Sequence, residues 1–392
     1  MKIVKVNELT PIQSGMLFQY MLTNDKSSYM GTEIFELEGN IDADIFRSVL
    51  DKISDEYEVF RTNVIYDKID KPKSVVIDKR TVPFAVHKAV NDNAVKQFTD
   101  EINAEQFKKG FDIQRDSLIR LDLVVGENSS VLIFSFHHIL MDGYCAAMIA
   151  DIIMKNYGKM IGRQCDNDVE YVPFSTYQDW IVAQDMSKSC EYWKEYLKGI
   201  SSVQPLDLVQ FESDKKKNIG HSSLTIEFTP LETQGLISIA SAGNATLNIC
   251  MQWLWGLTLC RNFSCDKAVF GTVVSYRPAE FDNAEQILGP MINTVPVVFA
   301  CNKDNPITEQ LKAFRKSFLD SMEHSWIGLG EISKTAEDCE NLIDHLFVYD
   351  NFPEMDFGSI KKNTGFQVKN FKLEERTEYA LTLEVSKTDI QF

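Results

Sequence analysis

Long apolar runs are missing from this sequence. No uninterrupted stretch reaches the roughly 20 residues that a bilayer crossing needs, so no membrane span is expected. The opening, MKIVKVNELTPIQ, has no apolar core of the length an export signal requires. Basic residues are also scarce, with 40 Lys and Arg against 57 Asp and Glu and a net charge of −17. Nucleic acid and anionic membrane both need a basic footprint, so neither is expected as a partner. A short basic run, Lys215-Lys216-Lys217, sits among polar residues and reads as a solvated loop.

Cysteines at metal-site spacing are absent too. The eight present are scattered, Cys260 and Cys265 being the nearest two, with no CxxC. No metal is expected, and reduced, mostly buried thiols in a cytoplasmic protein are favoured. Sequons at Asn128, Asn244 and Asn262 carry no weight without an export signal. GxSxG, GxxxxGK and HExxH do not occur, and GLGEIS at 328–333 lacks the last glycine of a dinucleotide fingerprint. Serine hydrolase, P-loop NTPase, zinc protease and Rossmann readings therefore all lack their motifs.

What is present is an ordinary globular composition, 44% apolar and 25% charged, in a chain of 392 residues. That length allows two domains or two large lobes. Helical and strand-like periods alternate throughout. TPIQSGMLFQYMLTN predicts a helix opening at Thr10 with Pro11 in its first turn. TEIFELEG alternates as a strand does, and DADIFRSVLDKISDEY returns to helical spacing. SVLIFSF, 130–136, is apolar on both faces and predicts a central strand, followed by an apolar helix over 143–158. The stretches VPFSTYQDWIVAQD and SCEYWKEYLKG predict helices that start a second lobe, with a polar loop running to residue 222. ATLNICMQWLWGLTLCRNF predicts a buried helix, and strands follow at KAVFGTVVS, NTVPVVFA and HLFVYDN. The class is α/β, with an N-terminal lobe over 1–170 and a C-terminal lobe over 171–392.

With only six histidines in the chain, two are adjacent, at the end of the predicted central strand: SFHHILMDGYC, 135–145. Side chains alternate along a strand, so His137 and His138 would face opposite ways. One can reach a cavity while the other must be satisfied inside the scaffold. Asp142 can cap the helix that follows, and Gly143 permits close approach of backbone.

HHILMDG resembles the HHxxxDG motif of the condensation-domain family of nonribosomal peptide synthetases. Further segments resemble that family in order: LTPIQSGMLF (9–18), FRTNV (60–64), FDIQRDSLIR (111–120), YQDW (177–180), EYWKEYL (191–197), VFGTVVSYRPAE (269–280) and GPMINTVPV (289–297). NLIDHLFVYDNFP and RTEYALTLEVS extend the likeness nearly to the end. The resemblance implies two lobes like chloramphenicol acetyltransferase, forming a V-shaped pseudo-dimer with a central channel. It implies an acyltransferase that makes a peptide bond. The acceptor amine on one carrier domain attacks the donor thioester on another, both on 4′-phosphopantetheine arms, with no permanently bound cofactor. An adenylation domain is an expected neighbour, and the chain is expected to act as a monomer.

Carried over by residue, the resemblance makes His138 the catalytic histidine that faces the channel and His137 a structural one. Asp142 is the motif aspartate, with Arg277 as its candidate partner, and Gly143 lets backbone lie close to the thioester. Asn293, polar inside an apolar strand, either lines the channel or is a satisfied core amide. Whether His138 takes the amine proton or mainly orients the amine stays open at this level. Tyr276 departs from the glycine of many relatives, and the C-terminal lobe is expected to lack the family's last strand and closing helix. Epimerization domains share the motif but carry an EGHGRE-like segment not found here, and YQDW is more similar to the condensing branch. Within that branch, LTPIQSGMLF with HHILMDG is more similar to domains taking a D-configured donor. A standalone acyltransferase and a silent carrier-binding module are the remaining alternatives.

Overall fold

The computed structural model describes residues 2–39, 41–163, 165, 172–200, 223–278, 281–302, 304–336, 342–350, 357–375, 379 and 381–386. The predicted polar loop over 201–222, with its lysine run, lies outside the described residues. The chain begins with β1 (Ile3–Glu8), α1 (Pro11–Thr23), β2 (Met30–Glu38), α2 (Ala43–Glu56), β3 (Thr62–Ile65) and β4 (Lys73–Ile77). Next come β5 (Phe84–Lys88), α3 (Asp92–Lys109), β6 (Ile119–Val125), β7 (Ser129–His137), α4 (Gly143–Met160), α5 (Phe174–Val182) and α6 (Ser187–Tyr196). They are followed by α7 (Pro230–Ala242), α8 (Leu247–Asn262), β8 (Lys267–Ser275), β9 (Ile292–Ala300), α9 (Ile307–Met322) and α10 (Leu329–Thr335). The last elements are β10 (Leu346–Asp350), α11 (Phe357–Thr364), β11 (Gln367–Glu375) and β12 (Thr382–Ser386).

These elements gather into two compact units, each discontinuous in sequence. The first takes residues up to 184 and regains the chain over 277–292 and 352–378; the second holds the rest. A single boundary after residue 170 therefore does not describe the contacts. The physical reason is that two later segments complete the first unit, one as the edge strand β11 and one as the partner of Asp142. Helix α5, expected to start the second lobe, belongs to the first unit.

The first unit is built on a five-stranded sheet in the order β11-β2-β7-β6-β5. All its pairings are antiparallel except β5 with β6. Strand β7 is central, which is why SVLIFSF is apolar on both faces. One face places Phe35, Leu37, Leu132, Phe134 and Phe136 in a core shared with α1, α2 and α4. The other places Ile34, Val131 and Ile133 against Val95 and Ile102 of α3. Helix α2 buries Phe46, Val49, Leu50 and Ile53, spaced as one stripe of a 3.6-residue period. Each such side chain contributes about 1.5–3 kcal/mol of burial. A smaller antiparallel sheet, β1-β4-β3, completes the unit.

The second unit holds the sheet β12-β10-β8-β9, in which β10 runs parallel to both β8 and β12. Trp193, Trp253, Phe270, Phe299 and Phe347 fill its core. Helix α8 buries Ile249, Cys250, Trp253 and Leu259, as its apolar circumference predicts.

Helix α1 starts as its sequence dictates. The Thr10 hydroxyl accepts the Gln13 N–H, the Gln13 side chain accepts the Thr10 N–H, and Pro11 occupies the first turn. Gln13 also reaches beyond its helix. Its Nε2 donates to the Ile139 carbonyl at 2.9 Å, and its Oε1 accepts from Gln178 Nε2 at 3.1 Å. One buried amide thus ties α1 to α5 and to the loop after the histidine pair. Gln13→Ala strands the buried Ile139 carbonyl and one N–H of Gln178, whose amide keeps its bond to the Glu8 carbonyl, so it is expected to cost about 1–3 kcal/mol. Chemical denaturation reads this; an unshifted midpoint would contradict it.

Candidate active site

Strand β7 ends at His137, and the turn that follows is pinned by bonds to neighbouring strands and to itself. The His137 N–H donates to the Leu118 carbonyl at 3.0 Å and the His138 N–H to the Tyr29 carbonyl at 2.8 Å. Leu140 N–H returns to the His137 carbonyl, and Ile139 N–H donates to His137 Nδ1, both at 3.0 Å. Asp142 then caps α4, its Oδ1 accepting from Cys145 N–H at 3.0 Å.

The two imidazoles meet different surroundings. His137 is 0% exposed and lies edge-on to Tyr20 and Phe111. Because its Nδ1 accepts a hydrogen bond, its proton sits on Nε2. Burial, with His138 next in line, drives its pKa down to about 3, so the ring is neutral at any working pH. His138 turns to the other face, beside Phe136, with its side chain 10% exposed. Its Nδ1 lies 3.2 Å from the Met141 carbonyl, which can only accept. The proton there is fixed, and Nε2 is the variable position.

Nε2 lies 3.1 Å from Oε1 of Glu375, the last residue of β11. Burial pulls the His138 pKa down, but Glu375, the Met141 carbonyl and Asp142 outweigh it and leave the pKa raised. Two further residues of β2 shape this corner. Gly31 pairs with Phe136 and with Glu375 in register. A Cβ on Gly31 would sit 2.6 Å from the Phe136 ring and 3.2 Å from Nε2, so a side chain there would push the Phe136 ring aside and crowd the His138 ring. Two residues on, the buried Glu33 carboxyl is pushed up to about 8 by burial and by Glu375.

Asp142 is fully buried and is met by Arg277, whose Nη1 lies 3.3 Å from Oδ2 and whose Nη2 lies 3.4 Å from both oxygens. Met291 N–H adds a bond to Oδ2 at 3.1 Å. The guanidinium also stacks over Tyr144, 4.2 Å from the ring centre. Burial would lower the Arg277 pKa, yet Asp142 above all holds it raised. Cys145, one helical position on, donates its thiol to the Gly289 carbonyl and accepts the Gly289 N–H, each at 3.2 Å. Gly143 is the first residue of α4, half-buried beside Asp142.

The structure thus brings His137, His138, Asp142, Gly143 and Arg277 together in the first unit. Asn293 belongs to the second unit. Its Nδ2 donates to the Ser325 and Ile327 carbonyls, both at 2.6 Å, and its Oδ1 accepts the Thr294 N–H. Its polar atoms are engaged with backbone, as a core amide requires. Gly31, Glu33 and Glu375 were not singled out from sequence. The signal for Gly31 is a glycine at the start of an alternating strand; Glu375 carries no local signal at all.

The matching family model is the condensation domain, over residues 4–392. The chain is 32% identical to gramicidin S synthase 2 of Brevibacillus brevis, over 97% of this chain and 9% of that protein. It is 30% identical to bacitracin synthase 1 of Bacillus licheniformis, over 97% of this chain and 7% of that one. The chain therefore spans only a small fraction of the length of these curated relatives. Its fold matches the starter condensation domain of rhizomide synthetase with a TM-score of 0.78 at 16% identity, over 98% of this chain and 86% of that one. Among the described residues, no helix is long and apolar enough to cross a membrane.

Removing one partner of a buried ion pair leaves the other charge uncompensated, so Asp142→Ala is expected to cost about 3–5 kcal/mol. Denaturant unfolding checks it, and an unchanged midpoint would contradict it. Glu33 gives a second expectation. Between 4.5 and about 8 the folded protein binds a proton there that the unfolded chain releases. The stability this supplies is full below 4.5 and is lost as pH rises through the folded value. Glu33→Gln stays neutral throughout, so its melting temperature should gain on wild type progressively across that window. Parallel melting curves would contradict the assignment.

Proposed function

This chain belongs to the condensation-domain family and is an acyltransferase similar to the amide-forming domains of nonribosomal peptide synthetases; from that premise we propose how His138 serves the reaction. The acceptor amine attacks the donor thioester carbonyl, a C–N bond forms and the C–S bond breaks. The nitrogen sheds one proton, which His138 Nε2 takes and passes to the leaving thiolate. Donor and acceptor come on 4′-phosphopantetheine arms of upstream and downstream carrier domains, with an adenylation domain loading the residue, in the cytoplasm. Tethering both reactants already supplies a large proximity effect, so the imidazole needs only to orient the amine and receive its proton.

The observation that carries this reading is the split of the histidine pair. His137 is a neutral ring sealed in the core, while His138 is held by Nδ1, with its side chain 10% exposed and Nε2 facing Glu375. Asp142 and Arg277 support the loop between strand and helix rather than meeting the reactants. A D-configured donor is the finer reading, supported by the likeness of LTPIQSGMLF and HHILMDG to that branch.

His138→Ala is expected to remain folded and to lose condensation by roughly 10²–10⁴-fold, the usual worth of general acid–base catalysis. The assay supplies D- and L-aminoacyl donors and an acceptor on loaded carriers, with products read by mass spectrometry. Wild-type turnover in the variant would refute the role of His138. Preference for the L donor would refute the finer reading, and an inverted donor without amide product would point to epimerization instead.

A further inference from the structure

The partner of His138 Nε2 raises a question that the reaction alone does not answer. Nδ1 donates its proton to the Met141 carbonyl, so a neutral ring presents a lone pair at Nε2. Opposite it, at 3.1 Å, is a carboxylate oxygen of Glu375. Two lone pairs at that distance repel, so the pair must hold one proton between them: imidazolium with carboxylate, or imidazole with carboxylic acid. Strand alternation makes the choice of residue specific. Glu374 turns to the other face, where it accepts from Asn103 Nδ2 at 2.7 Å, and only Glu375 reaches the ring.

We propose that Glu375 is a positioning residue for the condensation, sharing a proton with His138 Nε2 and thereby setting the protonation state of that ring. This rests on the assignment of His138 above and extends it to its partner. Among the described residues, the charged and titratable groups facing the ring are these. Glu375 comes from β11, with Glu33 of β2 behind it; His137 lies on the opposite side of β7; Asp142 lies in the following loop, itself paired with Arg277. Glu33 is buried beside Glu375 and holds its proton near neutrality, so the two carboxyls together present one negative charge to the imidazole rather than two.

The arrangement has a consequence in each half of the reaction. Before attack, the proton held at Nε2 must pass to solvent before the lone pair is free to act as base. After attack, the proton received from the amine forms an imidazolium already facing a carboxylate, which stabilises it. Gly31 keeps the space beside Nε2 clear, since a Cβ there would already stand 3.2 Å away.

The test compares wild type with Glu375→Gln and Glu375→Asp, using histidine labelled at the ring for NMR and the His138→Ala variant to assign its signal. The glutamine amide donates to Nε2 and favours the neutral ring, so the His138 titration is expected to move to lower pH. The acidic limb of kcat/KM for condensation should move with it, and Glu375→Asp should restore both toward wild type. A carboxylate with a merely structural role would alter melting and leave the titration in place. A His138 midpoint identical in wild type and Glu375→Gln would overturn the proposal even with condensation intact. Full turnover by His138→Ala would instead remove the catalytic reading, while the NMR titration would still report on the shared proton.

Discussion

The buried Asp142 carboxylate receives two backbone N–H groups and a guanidinium, and those partners come from two stretches of chain far apart in sequence. Cys145 N–H belongs to the helix that Asp142 caps; Arg277 and Met291 belong to a segment that returns to the first unit after much of the second has been laid down. Desolvating such a pair consumes much of its Coulomb attraction, so its worth lies less in net stability than in fixing position. The loop from His138 to Asp142 is closed at one end by the sheet and at the other by this carboxylate. The orientation of His138 follows from that closure.

Above this anchor the site separates two neighbours of the same residue type by environment alone. His137 is neutral because apolar rings and backbone surround it, with no counter-charge to hold a proton. His138 sits one residue further, on the opposite face, where a carboxylate and a carbonyl outweigh the cost of burial. The same physics keeps Glu33 protonated beside Glu375. Charge at this corner is thus set by which of four titratable groups are paired, and strand register decides the pairing.

Much of the scaffold could be read along the chain because its signals are local. Thr10-Pro11 with Gln13 marks the start of α1, the stripe of Phe46, Val49, Leu50 and Ile53 marks α2, and SVLIFSF marks a central strand. The splitting of His137 from His138 follows from the period of two in a strand. Asp142 and Arg277 could be named only through family resemblance, because nothing local joins them. Glu375 could not be named at all: it reaches His138 only because β11 pairs with β2 and β2 with β7. The discontinuous units escaped for the same reason, since a segment rejoining an earlier sheet leaves no mark on composition. Asn293 illustrates a different limit. A polar residue within an apolar strand must be bonded, but sequence does not say whether to ligand or to backbone, and here it is backbone.

The central claim is that one imidazole of the adjacent pair works and the other is sealed. Ring titrations of the two histidines in the wild-type protein test it most directly. His138 is expected to titrate above the ordinary imidazole value of about 6.5, whereas His137 takes up no proton until pH approaches about 3. Two rings titrating together near the ordinary value would contradict it.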